Sequence, residues 1–273
     1  MIDLSTDNGR RRLHNLAQAA HCAAQGKVGS GFDVASAVYG SCLYRRFSPS
    51  LLSTHAEPGM PDFATQLGEI IDETGATGKW DTQILKDEIK VPEGIRLVMC
   101  DVSCGSQTPG MVKKVLAWRS MSGSDAEQVW EDLQAANEGL SQELVRLHKS
   151  GDRNYSGLKE RILKIRSGIR DMSKKSGVPI EPPAQTKLLD ACSAIEGVIG
   201  GVVPGAGGYD AIALLIEDRE DVVTALQNLL DKWEIKTEAD VEGKVGRVSI
   251  LRVKQEMEGV RKEDFASYSE WVE

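Results

Sequence analysis

The sequence lacks the features that mark membrane, secreted and nucleic-acid-binding proteins. No stretch approaches the roughly 18 to 20 consecutive apolar residues that a membrane span needs, and the first residues, MIDLSTDNGRRRLHNL, contain no apolar signal-peptide core. A net charge of −8 leaves no surplus of basic residues for nonspecific binding to nucleic acid or anionic membranes. We therefore expect a cytoplasmic protein with neither nucleic acid nor a membrane as a partner.

Paired cysteines are also missing. The five cysteines are an odd number, include no C-x-x-C pair and have no histidine at ligand spacing. This pattern is not that of a disulfide framework or a zinc site. It predicts free thiols, and no residue is predicted as a metal ligand.

The apolar residues that are present suffice for a core, at 41% of 273 residues. Three- and four-residue spacing predicts a helix over residues 4–25. Beyond residue 94 the pattern reads as a strand, four helices, two strands, a helix and a last strand. Because the helices are grouped rather than alternating with single strands, the sequence predicts an α+β fold.

One of these helices, over about residues 155–175, carries a basic face. Lys159, Arg166, Arg170 and Lys174 lie opposite its apolar stripe. Two interpretations stay open: a solvated face, or cations that point toward an anionic ligand at the C-terminal end of the helix.

Two glycine-rich turns are candidates for binding phosphate, because backbone N–H groups without side chains in the way can converge on phosphate oxygens. In GKVGSGFD, Lys27 precedes the glycines, so the turn is not a Walker A loop. In GAGGYD, Asp210 stands where a dinucleotide-binding fingerprint has its last glycine. Each turn alone is equally consistent with a tight connection.

Asp33 follows the first of these turns and begins a predicted helix, DVASAVYG. Its carboxylate could stabilise the helix as an N-terminal cap or first-turn residue. It could equally lie at the edge of a phosphate site and orient or accept a proton from an attacking oxygen. Spacing does not separate these interpretations.

Four motifs carry a resemblance to a known family. HNLAQAAHCAAQGKVGSGFDVASAVYGSCLYRRFSPSLL, DVSCGSQTPGMVKKVLAW, SGVPIEPPAQTKLLDAC and PGAGGYDAIALL occur in this order. Together they resemble the phosphomevalonate kinases of the fungal type, within the GHMP superfamily of small-molecule kinases. The resemblance implies a phosphotransferase that passes the γ-phosphoryl group of ATP, with Mg²⁺, to 5-phosphomevalonate and so forms 5-diphosphomevalonate for isoprenoid and sterol biosynthesis.

The resemblance also implies site residues. Asp33 matches the active-site aspartate of the superfamily, and Lys27, Ser30 and Gly31 shape the turn around the acceptor. Gly205, Ala206, Gly207 and Gly208 match the glycine motif that approaches the reacting phosphates. Ser106, Arg170 and Gln185 are further candidates for contacts with the substrate.

The chain departs from the family in what precedes the Asp33 turn. Only 25 residues come before GKVGSGFD, and no G-L-G-S-S run of the ATP-binding loop occurs. The resemblance therefore implies the C-terminal portion of a GHMP kinase: residues 1–93 as a remnant of the S5-like N-terminal domain, and residues 94–273 as the ferredoxin-like C-terminal domain.

From this departure we expect no useful kinase activity from the chain alone. The alternatives are another GHMP kinase, such as a mevalonate kinase, and a noncatalytic remnant that binds an anion.

Overall fold

A computed structural model describes residues 2–26, 28–53, 59–74, 79–86, 90–103, 108–233, 235–236, 245–264 and 266–268. The chain divides into two units, one formed by residues 1–90 with 255–273 and the other by residues 91–254. The division between residues 90 and 91 lies three residues from the boundary expected at 93 and 94. The C-terminal segment, in contrast, groups with the first unit.

Backbone hydrogen bonds explain the placement of that segment. Ser41 N–H donates to the carbonyl of Glu256 at 2.7 Å, and Val260 N–H donates to the carbonyl of Val38 at 3.1 Å. The segment is thereby attached to the end of a helix in the first unit, over residues 32–39.

The first unit contains a pair of short strands and several helices. In chain order these are α1 (Asp7–Gln25), α2 (Phe32–Tyr39), β1 (Leu43–Arg45), α3 (Ser50–Ser53), α4 (Phe63–Asp72) and β2 (Gln83–Leu85). The strands β1 and β2 pair antiparallel. The helix predicted over residues 4–25 is therefore present and begins three residues later, where Thr6 caps it by accepting a hydrogen bond from Gly9 N–H.

The core of this unit joins α1 to residues far along the chain. Its buried members are Ala19, Cys22, Phe47, Leu51, Leu52, Ile70 and Trp80. Trp80 contacts Phe47 edge to face, and its ring N–H donates to the carbonyl of Ile70 at 3.0 Å. A buried Trp that finds a hydrogen-bond partner is a strong anchor, so Trp80 ties its part of the chain to this core.

The second unit is built on a four-stranded sheet. Its elements are β3 (Ile95–Val102), α5 (Thr108–Ser122), α6 (Ser124–Ser150), α7 (Ser156–Ser176), α8 (Pro183–Ser193), β4 (Val198–Val202), β5 (Ala211–Glu217), α9 (Glu220–Leu230), β6 (Ile235–Lys236), β7 (Val245–Gly246) and β8 (Val248–Ile250).

The sheet has the order β4-β5-β3-β8, with all neighbours antiparallel. Along the chain its strands and the helices that connect them follow a β-α-β-β-α-β arrangement, in which β3 and β5 lie in the middle. This is the ferredoxin-like topology. The predicted α+β fold class is confirmed.

Alternation along β5 assigns the two faces of the sheet. Ile212, Leu214 and Ile216 belong to one buried cluster, which α8 and α9 complete with Leu188, Leu189, Cys192, Val222, Leu226 and Leu230. Leu215 points to the other face and packs with Leu147, Leu158 and Ile162 of α6 and α7. Two buried free thiols, Cys100 and Cys192, belong to the first cluster, where burial raises the pKa of each to about 12.

Candidate functional site

The turn before Asp33 is fixed by its own glycine and by α1. Gly31 is the N-cap of α2 and has a φ of 74°, a conformation that glycine adopts without steric cost. Its carbonyl oxygen accepts a hydrogen bond of 2.7 Å from the Gln18 side chain, which is fully buried in α1. Arg46 donates to the carbonyl of Gly29 at 3.1 Å, so the turn is held from two sides.

Asp33 lies in the first turn of α2 and is exposed. Because Gly31 is the N-cap, Asp33 is a first-turn residue, where a carboxylate stabilises the helix through the helix dipole. Oδ2 of Asp33 lies 3.0 Å from Nε2 of His21 in α1. The carboxylate is thus oriented by α1 and open to solvent, as a group that orients an incoming ligand must be.

Two other residues of the turn before Asp33, Ser30 and Lys27, were also predicted to lie near the phosphate acceptor. Ser30 lies in the turn and is exposed, whereas Lys27 lies outside the described residues. Sequence reasoning missed Gln18 and His21, which hold the turn and orient Asp33. Their spacing within the predicted helix, at positions 18 and 21 ahead of the glycines, could have indicated a shared face toward the turn.

The second glycine turn, Gly205–Gly208, follows β4. The N–H of Gly207 donates to the carbonyl of Pro204 at 3.2 Å, and the N–H of Gly208 donates to the carbonyl of Ile180 at 2.8 Å. Within the part of the chain that the structure describes, the amides of Gly205 and Ala206 have no such acceptor. Of the four predicted phosphate-binding amides, these two are the ones left for a ligand.

Close packing explains why the turn needs glycine at position 207. A Cβ there would lie 2.4 Å from the carbonyl oxygen of Ile180, and Gly207 has a φ of 82°. Gly205 is exposed, and nothing lies within 4 Å of the position its Cβ would occupy. One side of the turn is therefore docked on the segment around Ile180, and the other side faces open space.

Gln185 supports the same turn from α8. Its side-chain nitrogen donates to the carbonyl of Tyr209 at 2.8 Å, and the side chain is fully buried. Its Oε1 atom has no partner among the described residues. The predicted substrate residue is thus placed beside the glycine turn, with one unused acceptor.

Arg166 corrects the expectation of a uniformly basic face on α7. Its side chain is 1% exposed and forms an ion pair with Glu181, whose side chain is 0% exposed. Burial opposes the charged form, but the hydrogen bonds to Glu181 and Asp190 outweigh it and leave the pKa of Arg166 above its ordinary value. The solvated-face interpretation is wrong for this residue, because its side chain is buried. Helix spacing could not reveal this, since the partner carboxylate lies 15 positions away in the chain.

Two further cations of α7, Arg170 and Lys174, border a cavity, whereas Lys159 is exposed and does not line it. Arg170 contacts Glu181 at 3.0 Å and, with Lys174 of α7 and Lys187 of α8, lines a cavity of about 590 Å³. Its walls also include the proline segment before α8. Arg170, a predicted substrate contact, thus lies beside the ion pair of Arg166 and Glu181. Ser106, another predicted contact, lies outside the described residues.

Neither a metal cluster nor a membrane helix is found in the described ranges. No group of three or more His, Cys, Asp and Glu side chains there could hold a metal ion. No described helix is long and apolar enough to cross a bilayer.

Comparisons with known proteins show which proteins the chain resembles. Residues 156–235 match the family described as GHMP kinases C terminal. A solved structure, the Lin0012 protein from Listeria innocua, superposes with a TM-score of 0.62 at 20% identity over 89% of this chain and 62% of its own. At that identity the likeness concerns the fold.

Two curated relatives match nearly the whole chain. Phosphomevalonate kinase erg8 of Aspergillus fumigatus is 53% identical over 97% of this chain and 55% of its own length. Phosphomevalonate kinase ERG8 of Gibberella zeae is 51% identical over 100% of this chain and 58% of its own length. The chain therefore spans a little more than half the length of these relatives. It contains a GHMP kinase C-terminal domain and is a homologue of the phosphomevalonate kinases.

Proposed function

We propose that this chain is the acceptor-binding and C-terminal portion of a phosphomevalonate kinase, which transfers the γ-phosphoryl group of ATP to 5-phosphomevalonate. The observation that supports this most directly is the 53% identity with a curated phosphomevalonate kinase over 97% of the chain. ATP and 5-phosphomevalonate as ligands, Mg²⁺ as a cofactor and a cytoplasmic location all belong to this proposal.

The proposed acceptor is a phosphate monoester, which is already anionic near pH 7. Its oxygen can attack without first losing a proton to a strong base. The task of the protein is then to position two polyanions and to offset their repulsion. Asp33, exposed and oriented by His21 at 3.0 Å, is assigned to orient the acceptor, while Ser30, Gly31 and Lys27 form the turn around it.

The first two residues of the glycine turn, Gly205 and Ala206, are the part of it that could receive a chain of phosphates. The amides of Gly205 and Ala206 would hold the phosphates of ATP, which supplies the phosphoryl group when it is bound. Gln185, which supports this turn through its hydrogen bond to Tyr209, completes the proposed substrate contacts together with Arg170 and Ser106. The described residues contain no cluster that fits Mg²⁺, so no residue is assigned to it.

The decisive experiment measures ADP release with mevalonate, 5-phosphomevalonate and 5-diphosphomevalonate in parallel. It uses the 273-residue chain and the same chain completed with the portion of the Aspergillus fumigatus relative that lies outside the match. We expect no useful turnover by the chain alone and turnover of 5-phosphomevalonate by the completed protein. Preference for another substrate, or no turnover with any of them, would refute the proposal.

Asp33→Asn tests the assigned residue within the completed protein. Removing a group that orients the reacting oxygen is expected to lower kcat by at least about 100-fold. Asp125→Asn is the matched control, because Asp125 is also an exposed carboxylate in the first turn of a helix. Equal activities of the two variants would remove Asp33 from the mechanism.

A further inference from the structure

A buried ion pair holds Glu181, the residue after Ile180, whose carbonyl binds the glycine turn of the second unit. Nε and Nη2 of Arg166 in α7 donate to the Glu181 carboxylate over 2.8 to 3.2 Å. Nη1 donates to Oδ1 of Asp190 at 2.7 Å. The guanidinium thus uses all three of its nitrogens and binds Glu181 through two of them, a geometry that fixes direction as well as distance.

The segment that carries Glu181 is held by further contacts. The Thr186 hydroxyl donates to Oε1 of Glu181 at 2.9 Å, and the Ser173 hydroxyl accepts from the N–H of Ile180 at 3.2 Å. The segment is therefore held from α7 through Ser173, and the carboxylate itself from α8 through Thr186.

This same segment holds the glycine turn. The carbonyl of Ile180, one residue before Glu181, accepts the Gly208 N–H, and Gln185, four residues after it, donates to the carbonyl of Tyr209. The backbone of Ile180 also lies so close to Gly207 that no side chain fits there. Movement of Glu181 would consequently displace two groups that hold the turn, the carbonyl of Ile180 at Gly208 and the Gln185 side chain at Tyr209.

A buried ion pair is a poor way to gain stability, because removing two charges from water offsets much of their attraction. Its value lies in geometry: an unpaired buried charge is so unfavourable that the pair permits one arrangement of the two side chains. In this unit that arrangement sets the position of the segment from Ile180 to Gln185.

We propose that Arg166 is a positioning residue for the glycine turn, acting through Glu181, Ile180 and Gln185. The inference rests on the proposed function in one respect, which is that the turn binds phosphates; the contacts that position the turn do not depend on it. Arg166 itself touches no part of the turn in the hydrogen bonds of the described residues, so its effect is indirect.

Local hydrogen–deuterium exchange tests this directly in the 273-residue chain. Arg166→Lys keeps the charge but replaces the planar fork with a single nitrogen. We expect exchange in a peptide covering residues 203–210 to become about 10-fold faster, while the β5 peptide of residues 211–217 keeps its rate. Glu181→Gln should have the same effect on the turn.

Arg146→Lys is the matched control. Arg146 also donates through two nitrogens, Nε and Nη2, to one carboxylate, that of Glu143 in α6, but its side chain is half exposed. We expect no change at residues 203–210 in this variant. If Arg166→Lys does not fold, Thr186→Val removes one support of Glu181 without leaving a charge unpaired, and should accelerate exchange in the turn by about 3-fold.

Two results would overturn the inference. One is unchanged exchange at residues 203–210 in folded Arg166→Lys protein. The other is equal acceleration at 203–210 and 211–217, which would mean that Arg166 contributes to stability alone. Because the measurement needs no substrate, it is independent of the kinase assay: absence of turnover by the completed protein would count against the proposed function and leave this test intact.

Discussion

The side-chain nitrogen of Gln18 lies 2.7 Å from the carbonyl oxygen of Gly31, so that α1 holds the residue at which α2 begins. Gln18 is fully buried, and the same nitrogen lies 3.1 Å from Nε2 of His14, one turn earlier in α1. The position of Asp33, two residues after Gly31, is therefore set by buried polar contacts of α1.

Replacing Gly31 with alanine should destabilise the first unit by about 2 to 4 kcal/mol. The φ of 74° costs a non-glycine residue about 1 to 2 kcal/mol, and the new Cβ would lie 2.5 Å from the buried Gln18 carboxamide. Urea unfolding of the variant and the parent measures the difference.

Gly26→Ala is the control for this change. Gly26 has a φ of 63°, and nothing lies within 4 Å of the position of its Cβ, so the variant carries the backbone cost without the clash. The comparison also cancels the effect of alanine on the unfolded chain. Equal destabilisation of the two variants would show that the Gln18 contact does not restrict this position.

Gly207→Ala makes the corresponding prediction for the second unit. Its Cβ would meet the backbone oxygen of Ile180 at 2.4 Å, and backbone yields less readily than a side chain. We expect a loss of about 3 kcal/mol or more in the free energy of unfolding, against about 1 to 2 kcal/mol for Gly205→Ala. Thermal melts of the two variants with circular dichroism test the order, and the reverse order would contradict the docking of the turn on Ile180.

Local patterns predicted those parts of this fold that depend on neighbours in the chain. The helix around Leu13 and Leu16, the strand over residues 95–102 and the class of the second unit followed from apolar spacing. The glycines at 31 and 207 were also visible as turns. In each case the physical cause lies within a few residues of the feature itself.

The contacts missed in sequence analysis join residues that are distant in sequence. The basic face of α7 was interpreted either as solvated or as directed toward an anionic ligand, because nothing within α7 indicates Glu181 as the partner of Arg166. Trp80 packs on Phe47, and no local spacing in the sequence indicates that contact. Periodicity predicts which face of a helix a residue occupies, but it does not predict which distant charged or aromatic side chain contacts that face.

The buried imidazole of His14 gives a prediction about pH. Burial lowers the pKa of His14 below its ordinary value of 6.5, and the ring is surrounded by Tyr39, Tyr44 and Trp80. The unfolded chain therefore binds a proton at a higher pH than the folded chain does. The stability that depends on neutral His14 is fully present above pH 6.5. It is lost as the pH falls from there toward the lowered pKa of His14 in the folded state.

We expect the free energy of unfolding to decrease below pH 6.5, with a slope from this residue of at most about 1.4 kcal/mol per pH unit. Urea unfolding between pH 7.5 and 5.5 measures the slope for the parent and for His14→Gln. The variant is less stable throughout because it loses ring contacts, but its slope should be smaller by the contribution of His14. Identical slopes for the parent and the variant would mean that His14 binds a proton equally well in the folded and unfolded chains. That result would contradict the prediction drawn from its burial.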